Sequence, residues 1–396
     1  MENSRDIVVV GAGVIGTATA YYLAKSGLKV TLVDQGDLAA GASGACDAET
    51  CSLDHAPGYD ANLANMSRGL YHRLIHELMF DIEYRQYGML VLIETEKEKA
   101  FMLDRLEKHM ANGLPGRFLE PKDLYKREPL LGPGLLGALE SPVDGAVQSM
   151  NVCIAFSKTA KERYGLEVRL HERVTDIKLE GGKVAAVVTE KGEIPTGAVV
   201  NCAGAWAPFL GKMVGLDIPI KPRKGQLVVI EPTAPLLSTH CFEAFYIVNK
   251  FHPELANDPN SVQERYGVAF SHEPTASGTT LIGGSRSFSG YDVSSDMDVV
   301  QAILNRATRF IPALEKLHVI RTYCGLRPYC EDHISIISPV EEIPGYYINA
   351  GAEGDGIGIA PVAGLLMSQL IQGHEPIVDP TPLSWKRFDK VSQQIS

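Results

Sequence analysis

Ile7 to Val10 is a run of four β-branched residues that passes straight into the glycine stretch GAGVIG, Gly11 to Gly16. No other feature restricts the fold as tightly. A short, continuous β-branched run reads as a strand of a parallel sheet, buried on both faces. TATAYYLAKSGLKV then reads as a helix, with Ala18, Ala20, Leu23 and Ala24 on one side and Gly27 as its stop. Val30 to Val33 is the second strand and ends in Asp34. Together these make a βαβ dinucleotide fingerprint. Gly11 makes the tight turn, Gly13 admits a pyrophosphate to the helix N-terminus, and Gly16 lets the helix lie close to the strand. Asp34 is placed to accept hydrogen bonds from an adenosine ribose. Val14 and Ile15 inside the stretch, and Gln35 after the acid, belong to the same candidate site. The fingerprint alone does not separate NAD from FAD.

A second stretch of this kind, GAEGDGIGIAP at Gly351 to Pro361, follows the strand YYINA and precedes the helix VAGLLMSQLIQG. Its Glu353 and Asp355 argue against a phosphate. Free N–H groups at a helix N-terminus suit a flavin ring instead, whose N1 and C2 carbonyl gain negative charge on reduction. Gly351, Glu353, Gly354, Asp355, Gly356 and Ile357 are the candidates there. Between the two stretches, GASGA offers Ser43, Gly44 and Ala45 to a second phosphate or to the flavin side of a long cofactor. NCAGAWA brings the backbone of Ala203, Gly204 and Trp206 close to something flat or charged. Val174, opening a strand, completes the set. One long cofactor held at both ends accounts for two glycine-rich sites so far apart in the chain.

Composition narrows the function classes. The 396 residues carry a net charge of -11 and no basic cluster, which disfavours nucleic acid and anionic membrane as partners. No apolar run approaches the ~18 residues of a membrane span. The N-terminus enters a strand at once and shows no signal peptide. Seven scattered cysteines suggest a reducing cytoplasm rather than a disulfide scaffold.

Tyr59 to Met79 reads as an amphipathic helix and Met89 to Ile93 as a strand. Thr95 to His109 reads as a helix that opens with a capping-box pattern, Thr95 and Glu98. Leu166–Leu170, Val174–Leu179, Val184–Thr189 and Ile194–Asn201 read as four strands. From Pro222 onward KGQLVVIEP, FYIVNK, YGVAFSHEP and TTLIGGSR read as strands of an antiparallel sheet. Lys250 to Glu264 reads as a polar loop or lid. His72 and His76 lack a third metal ligand, and no metal site is expected.

These segments resemble the FAD-dependent D-amino-acid oxidase and glycine oxidase family. The likeness is carried by IVVVGAGVIGTATAYYLA, GASGA, NCAGAWA, YIVNK, GLRPYCED and GAEGDGIGIAP, and so spans nearly the whole chain. It implies an α/β (α+β overall) fold: a Rossmann-type FAD-binding domain, here 1–85, 145–222 and 320–396, with an antiparallel-sheet substrate domain inserted at 86–144 and 223–319. Within the family the chain is similar to the glycine/sarcosine oxidase branch and to the β-subunits of dye-linked proline or opine dehydrogenases. The likeness also implies that Arg327 of GLRP binds a substrate carboxylate and that Tyr246, on a strand, faces the substrate. After the arginine, CEDHISIIS departs from the usual family run at Cys330, Ser335 and Ser338, with the strand register expected to survive.

The expected chemistry is oxidation of the C–N bond of an amino acid or secondary amine, with hydride passing to flavin N5. Arg327 offers the fork a carboxylate prefers and Tyr246 a second hydrogen bond. Other readings stand beside it: a subunit that passes electrons to a second flavoprotein or acceptor subunit, a 2-hydroxy acid in place of the amine, and a degenerate flavin-binding protein. Covalent flavin attachment at Cys324, a four-thiolate site from Cys46, Cys51, Cys324 and Cys330, and action of His55 or His333 near the flavin are lesser expectations.

Overall fold

Ile7–Val10 and Val30–Val33 are buried along their whole length and pair in parallel, Ile7 beside Val30 and Val10 beside Val33. They are the fourth and fifth strands of a six-stranded sheet in a computed structural model that describes residues 6–252 and 262–388. The spatial order is Ile336–Pro339, Tyr346–Ala350, Val199–Asn201, Ile7–Val10, Val30–Val33, Glu167–Arg169. All neighbours are parallel except the edge strand Ile336–Pro339. That edge strand belongs to the altered CEDHISIIS run. Ile336 pairs with Ala350 and Pro339 with Tyr347, so a ladder forms despite the substitutions.

The helix Val14–Lys25 packs against the helices Ser149–Tyr164 and Gly356–Gln372. Contact with the second is close because Gly364 has no side chain; a Cβ there would press on the backbone of Ala18 and Thr19. Gly356–Gln372 starts six residues earlier than the sequence suggests and carries Pro361 inside it. Proline has no N–H to give to the carbonyl four residues back. That carbonyl, of Ile357, is bonded instead by the Tyr71 hydroxyl at 2.7 Å.

The second sheet has eight strands, ordered Val319–Cys330, Ile220–Ile230, Thr280–Gly283, Ser271–Pro274, His240–Glu243, Met89–Ile93, Gly137–Ser141, Arg117–Leu119. It is antiparallel save for one parallel pair, His240–Glu243 with Met89–Ile93. The helix Met297–Phe310 covers one face, with Phe310 stacked on Phe270 at 4.6 Å between ring centroids. Thr95 and Glu98 form the capping box at the start of Glu96–Ala111.

Other sequence expectations are corrected as well. FYIVNK is not a strand: Ala244–Phe251 is a helix. Its apolar residues Ala244, Ile247, Val248 and Phe251 recur at helical spacing, and packing that face outweighs the strand preference of its β-branched pair. Ile194–Asn201 is not one strand. Gly192–Pro195 closes a three-stranded antiparallel sheet, and Val199–Asn201 joins the parallel one. Between them the Thr196 hydroxyl accepts from the Ala198 N–H at 3.3 Å, holding the turn that carries the chain from one sheet to the other. Of the expected loop, Lys250 and Phe251 end a helix and Val262–Arg265 is a short one; 253–261 lie outside the described residues. No helix among the described residues is long and apolar enough to cross a membrane.

Candidate active site

Both glycine stretches open onto one cavity of about 1000 Å³ between the two sheets. Its wall includes Gly11, Gly13, Val14, Ile15, Asp34, Gln35, Ser43, Ala45, Val174, Ala203, Gly204 and Trp206. It also includes Gly351, Glu353, Gly354, Asp355, Gly356, Ile357, Tyr246 and Arg327. His55 is on the wall and His333 is not; of the cofactor-binding candidates only Gly16 and Gly44 lie behind it. Both are packing glycines: a Cβ on Gly16 would overlap the Gly11 carbonyl, and one on Gly44 the carbonyl of Ala39.

At the first end, Gly11 (φ +114°) turns the strand under the helix, and a Cβ there would overlap the Cys202 carbonyl. The Asp34 carboxylate accepts from the backbone N–H groups of Ala12 at 2.6 Å and Gly36 at 2.7 Å, fixing the glycine turn to the second strand. Gly13 offers no side-chain cap. Ser43 Oγ reaches over and accepts from the Val14 N–H at 2.9 Å.

At the other end, the acids of the second stretch are paired with cations from the neighbouring sheet and helix. Glu353 meets Arg223 and, at 3.1 Å, His333 Nδ1. Asp355 meets the Lys250 ammonium at 3.0 Å, and Lys250 lies 3.7 Å from Asp54. Asp54, His55 and Asp355 cluster closely enough to hold a cation, but Lys250 supplies the countercharge. Burial opposes a charge on His55, yet Asp60, Asp355 and Asp54 outweigh it and hold its pKa near 10. Burial, followed by the Glu49 charge, pushes Asp47 up to about 6. Burial, then the cations Lys250, Arg223 and Arg286, pushes His333 down to about 4.

Arg327 lies on Val319–Cys330, paired with Arg223 of Ile220–Ile230. Two residues along, Gly225 faces Gly325, and a Cβ on Gly225 would overlap the Arg327 guanidinium. The missing side chain is the seat of the fork. Arg327 Nη1 donates to the Ser285 carbonyl at 2.9 Å. Among the described residues no carboxylate pairs with it. Tyr246 reaches the same region from its helix: the Cβ position of Gly354 lies 3.7 Å from Arg327 Nε and 3.8 Å from the Tyr246 hydroxyl.

Cys324 pairs with Gln226 and points to the face opposite Gly325 and Arg327. Its thiol contacts Gln226 and Ser294 and is absent from the cavity wall. Among the described residues the cysteines form no metal-binding group, and Cys51 bonds Asp54 at 2.9 Å. Sequence reasoning did not single out Asp47, Glu49, Asp54 or Lys250 as site residues, nor Arg223 and Arg286. Asp47, Glu49 and Asp54 follow closely on GASGA but stand in no motif of their own; strand register brings Arg223 and Arg286, and the helix at Ala244–Phe251 brings Lys250, to the edge of the site.

A βαβ nucleotide fold whose ligand cavity is closed by a second, largely antiparallel sheet defines a Rossmann-type dinucleotide protein with a separate substrate face. The chain belongs to the FAD-dependent oxidoreductase family, whose model, described as "DAO: FAD dependent oxidoreductase", matches residues 6–370. It is an FAD-dependent oxidoreductase, and FAD is its cofactor. It is 30% identical over 389 residues to a glycine oxidase of Pseudomonas aeruginosa, covering 96% of this chain and 98% of the relative. It is 27% identical over 399 residues to sarcosine oxidase subunit beta of an Arthrobacter species, covering 98% and 92%. Among solved structures, L-proline dehydrogenase from P. horikoshii superposes with a TM-score of 0.86 at 26% identity, covering 98% of each chain.

Proposed function

We propose that the protein oxidises the C–N bond of a carboxylate-bearing amino acid or secondary amine. The observation that carries this reading is Arg327: a guanidinium at the cavity wall, seated over Gly225, without a carboxylate partner among the described residues. A cation in this position is matched by a substrate carboxylate, which its fork binds bidentately. The Tyr246 hydroxyl adds a second donor. The names of the relatives, an oxidase of glycine and a dehydrogenase of proline, support the amine class.

The cavity and its glycines fit FAD. Gly11, Gly13 and Ser43 would face the pyrophosphate, with Asp34 and Gln35 at the ribose. Gly351 to Ile357, with Ala45, would face the ring. Bound there, FAD supplies the hydride acceptor, N5. The chain's own part is to fix the carboxylate so that the α C–H points at the ring, and to keep water out while it does so.

The test is anaerobic addition of glycine, sarcosine, proline, opines and 2-hydroxy acids to the FAD-loaded protein, read as bleaching of the flavin band. Bleaching by at least one amine is expected. Bleaching by hydroxy acids alone would replace this reading with the alcohol one. A second reading concerns the electron acceptor. One relative is a named subunit, the sarcosine oxidase beta chain. Turnover with an artificial dye but without peroxide would favour transfer to a partner subunit.

A further inference from the structure

Three guanidinium groups lie close together at one end of the cavity, where a single amino-acid carboxylate needs one: Arg327 is on the wall, while Arg223 and Arg286 pack against the wall residues Glu353 and Tyr246. Arg223 pairs with Arg327 across two antiparallel strands, and alternation puts Gly225, Gly325 and Tyr329 on the same face. On the other flank the bridge between Lys224 and Ser287 brings Arg286 alongside Gly225. The Arg286 guanidinium lies 3.7 Å from the centroid of the Tyr246 ring, and its Nη1 donates to the Tyr246 carbonyl at 3.0 Å. Its Nε and Nη2 are buried and have no hydrogen-bond partner among the described residues.

The charges do not balance. Glu353 serves Arg223, which also lies over the Tyr329 ring. Among the described residues neither Arg286 nor Arg327 has a carboxylate within ion-pair distance; Asp47, on the same wall, is an acid whose charge reaches Arg327. His333, the other ring on Glu353, is kept neutral by burial and the surrounding cations. Burial first, then the charges of Arg286 and Arg327, pulls Arg223 down to about 9, as expected beside uncompensated positive charge. A ligand with one carboxylate satisfies Arg327 and leaves Arg286 with the Tyr246 ring and carbonyl but no countercharge.

Resting on the amine-oxidation reading above, we propose that the substrate is a diacid: an amino or imino compound carrying a second carboxylate, held by Arg286 while Arg327 holds the first. Tyr246, stacked under one guanidinium with its hydroxyl near the other, sets the spacing between the two anionic groups. The subsite adds no new bond chemistry. It determines which amines are oriented for oxidation.

The experiment uses the FAD-loaded protein and pairs of amines that differ by one carboxylate: sarcosine against iminodiacetate, alanine against aspartate, and proline against pyrrolidine-2,5-dicarboxylate. In the wild type, kcat/KM for the diacid should exceed that for its monoacid partner on the order of a hundredfold. In Arg286→Gln that ratio should collapse toward one, chiefly through KM, with Arg286→Lys between the two. A purely structural role would lower both members of a pair together and leave the ratio unchanged, which would overturn the proposal. A second measurement needs no variant: malonate and succinate should perturb the flavin spectrum at far lower concentrations than acetate and propionate. Equal affinities would count against the subsite. Bleaching by monoacids alone overturns this inference and leaves the parent reading standing. Bleaching by no amine overturns both.

Discussion

Gly225 matters through what it lacks. A methyl group there would overlap the Arg327 guanidinium, which is the mobile end of a long side chain. Gly225→Ala should therefore cost little stability, about 1 kcal/mol or less, while turning the fork out of place. FAD content should stay at wild-type levels and KM for the substrate should rise about tenfold or more; unchanged KM would show that the seat is not needed. His109 gives a separate expectation at this scale. It is fully buried, neither ring nitrogen has a partner among the described residues, and burial pushes its pKa down to about 4. An unfolded histidine titrates near ~6.5, so between these values the unfolded chain binds more protons. The contribution is fully present above pH 6.5 and is lost as pH falls toward 4, at most ~3 kcal/mol. Asp47 acts with the opposite sign, because its pKa is raised in the folded protein. Urea midpoints at pH 7 and pH 5 should fall further in the wild type than in His109→Phe; equal shifts would contradict the assignment. Sequence alone exposed Arg327 and Tyr246 because the family resemblance marks them. Arg223 and Arg286 stayed hidden, since residues so far apart in the chain meet only once strand register is known.

The elements were legible where one signal dominated. A β-branched run, a glycine turn and an acid at the end of the next strand leave little choice, and Ile7–Val33 folds as read. Reading failed where two signals competed. Ala244–Phe251 has strand-favouring residues at helical spacing, and burial of one face decided for the helix. At Gly356, Pro361 and the glycines look like loop and predict a later helix start, yet tertiary contact compensates. Tyr71→Phe tests that compensation. It would leave the Ile357 carbonyl buried without its donor, at a cost of about 1–3 kcal/mol. A chemical denaturation curve should show the loss, together with weaker FAD retention, because the same helix start lines the cavity. Wild-type stability in the variant would mean that another group satisfies the carbonyl.

Across the whole molecule, the second glycine stretch is tied to the substrate side by two buried ion pairs, Glu353 with Arg223 and Asp355 with Lys250. Breaking one leaves a charge stranded. Lys250→Met should destabilise the protein by about 3–5 kcal/mol, and adding Asp355→Asn should restore part of the loss, a pattern that thermal unfolding of the single and double variants will reveal. Additive losses would show that the pair is not coupled. The central claim is that the two glycine stretches hold opposite halves of one FAD, with Arg327 facing the flavin ring. A crystal structure of the FAD-loaded protein with a small carboxylate tests it most directly. The account requires adenosine beside Asp34, the isoalloxazine against Gly351 to Ile357, and the carboxylate on Arg327 and Tyr246. A flavin lodged elsewhere, or a guanidinium turned away from the ring, would contradict it.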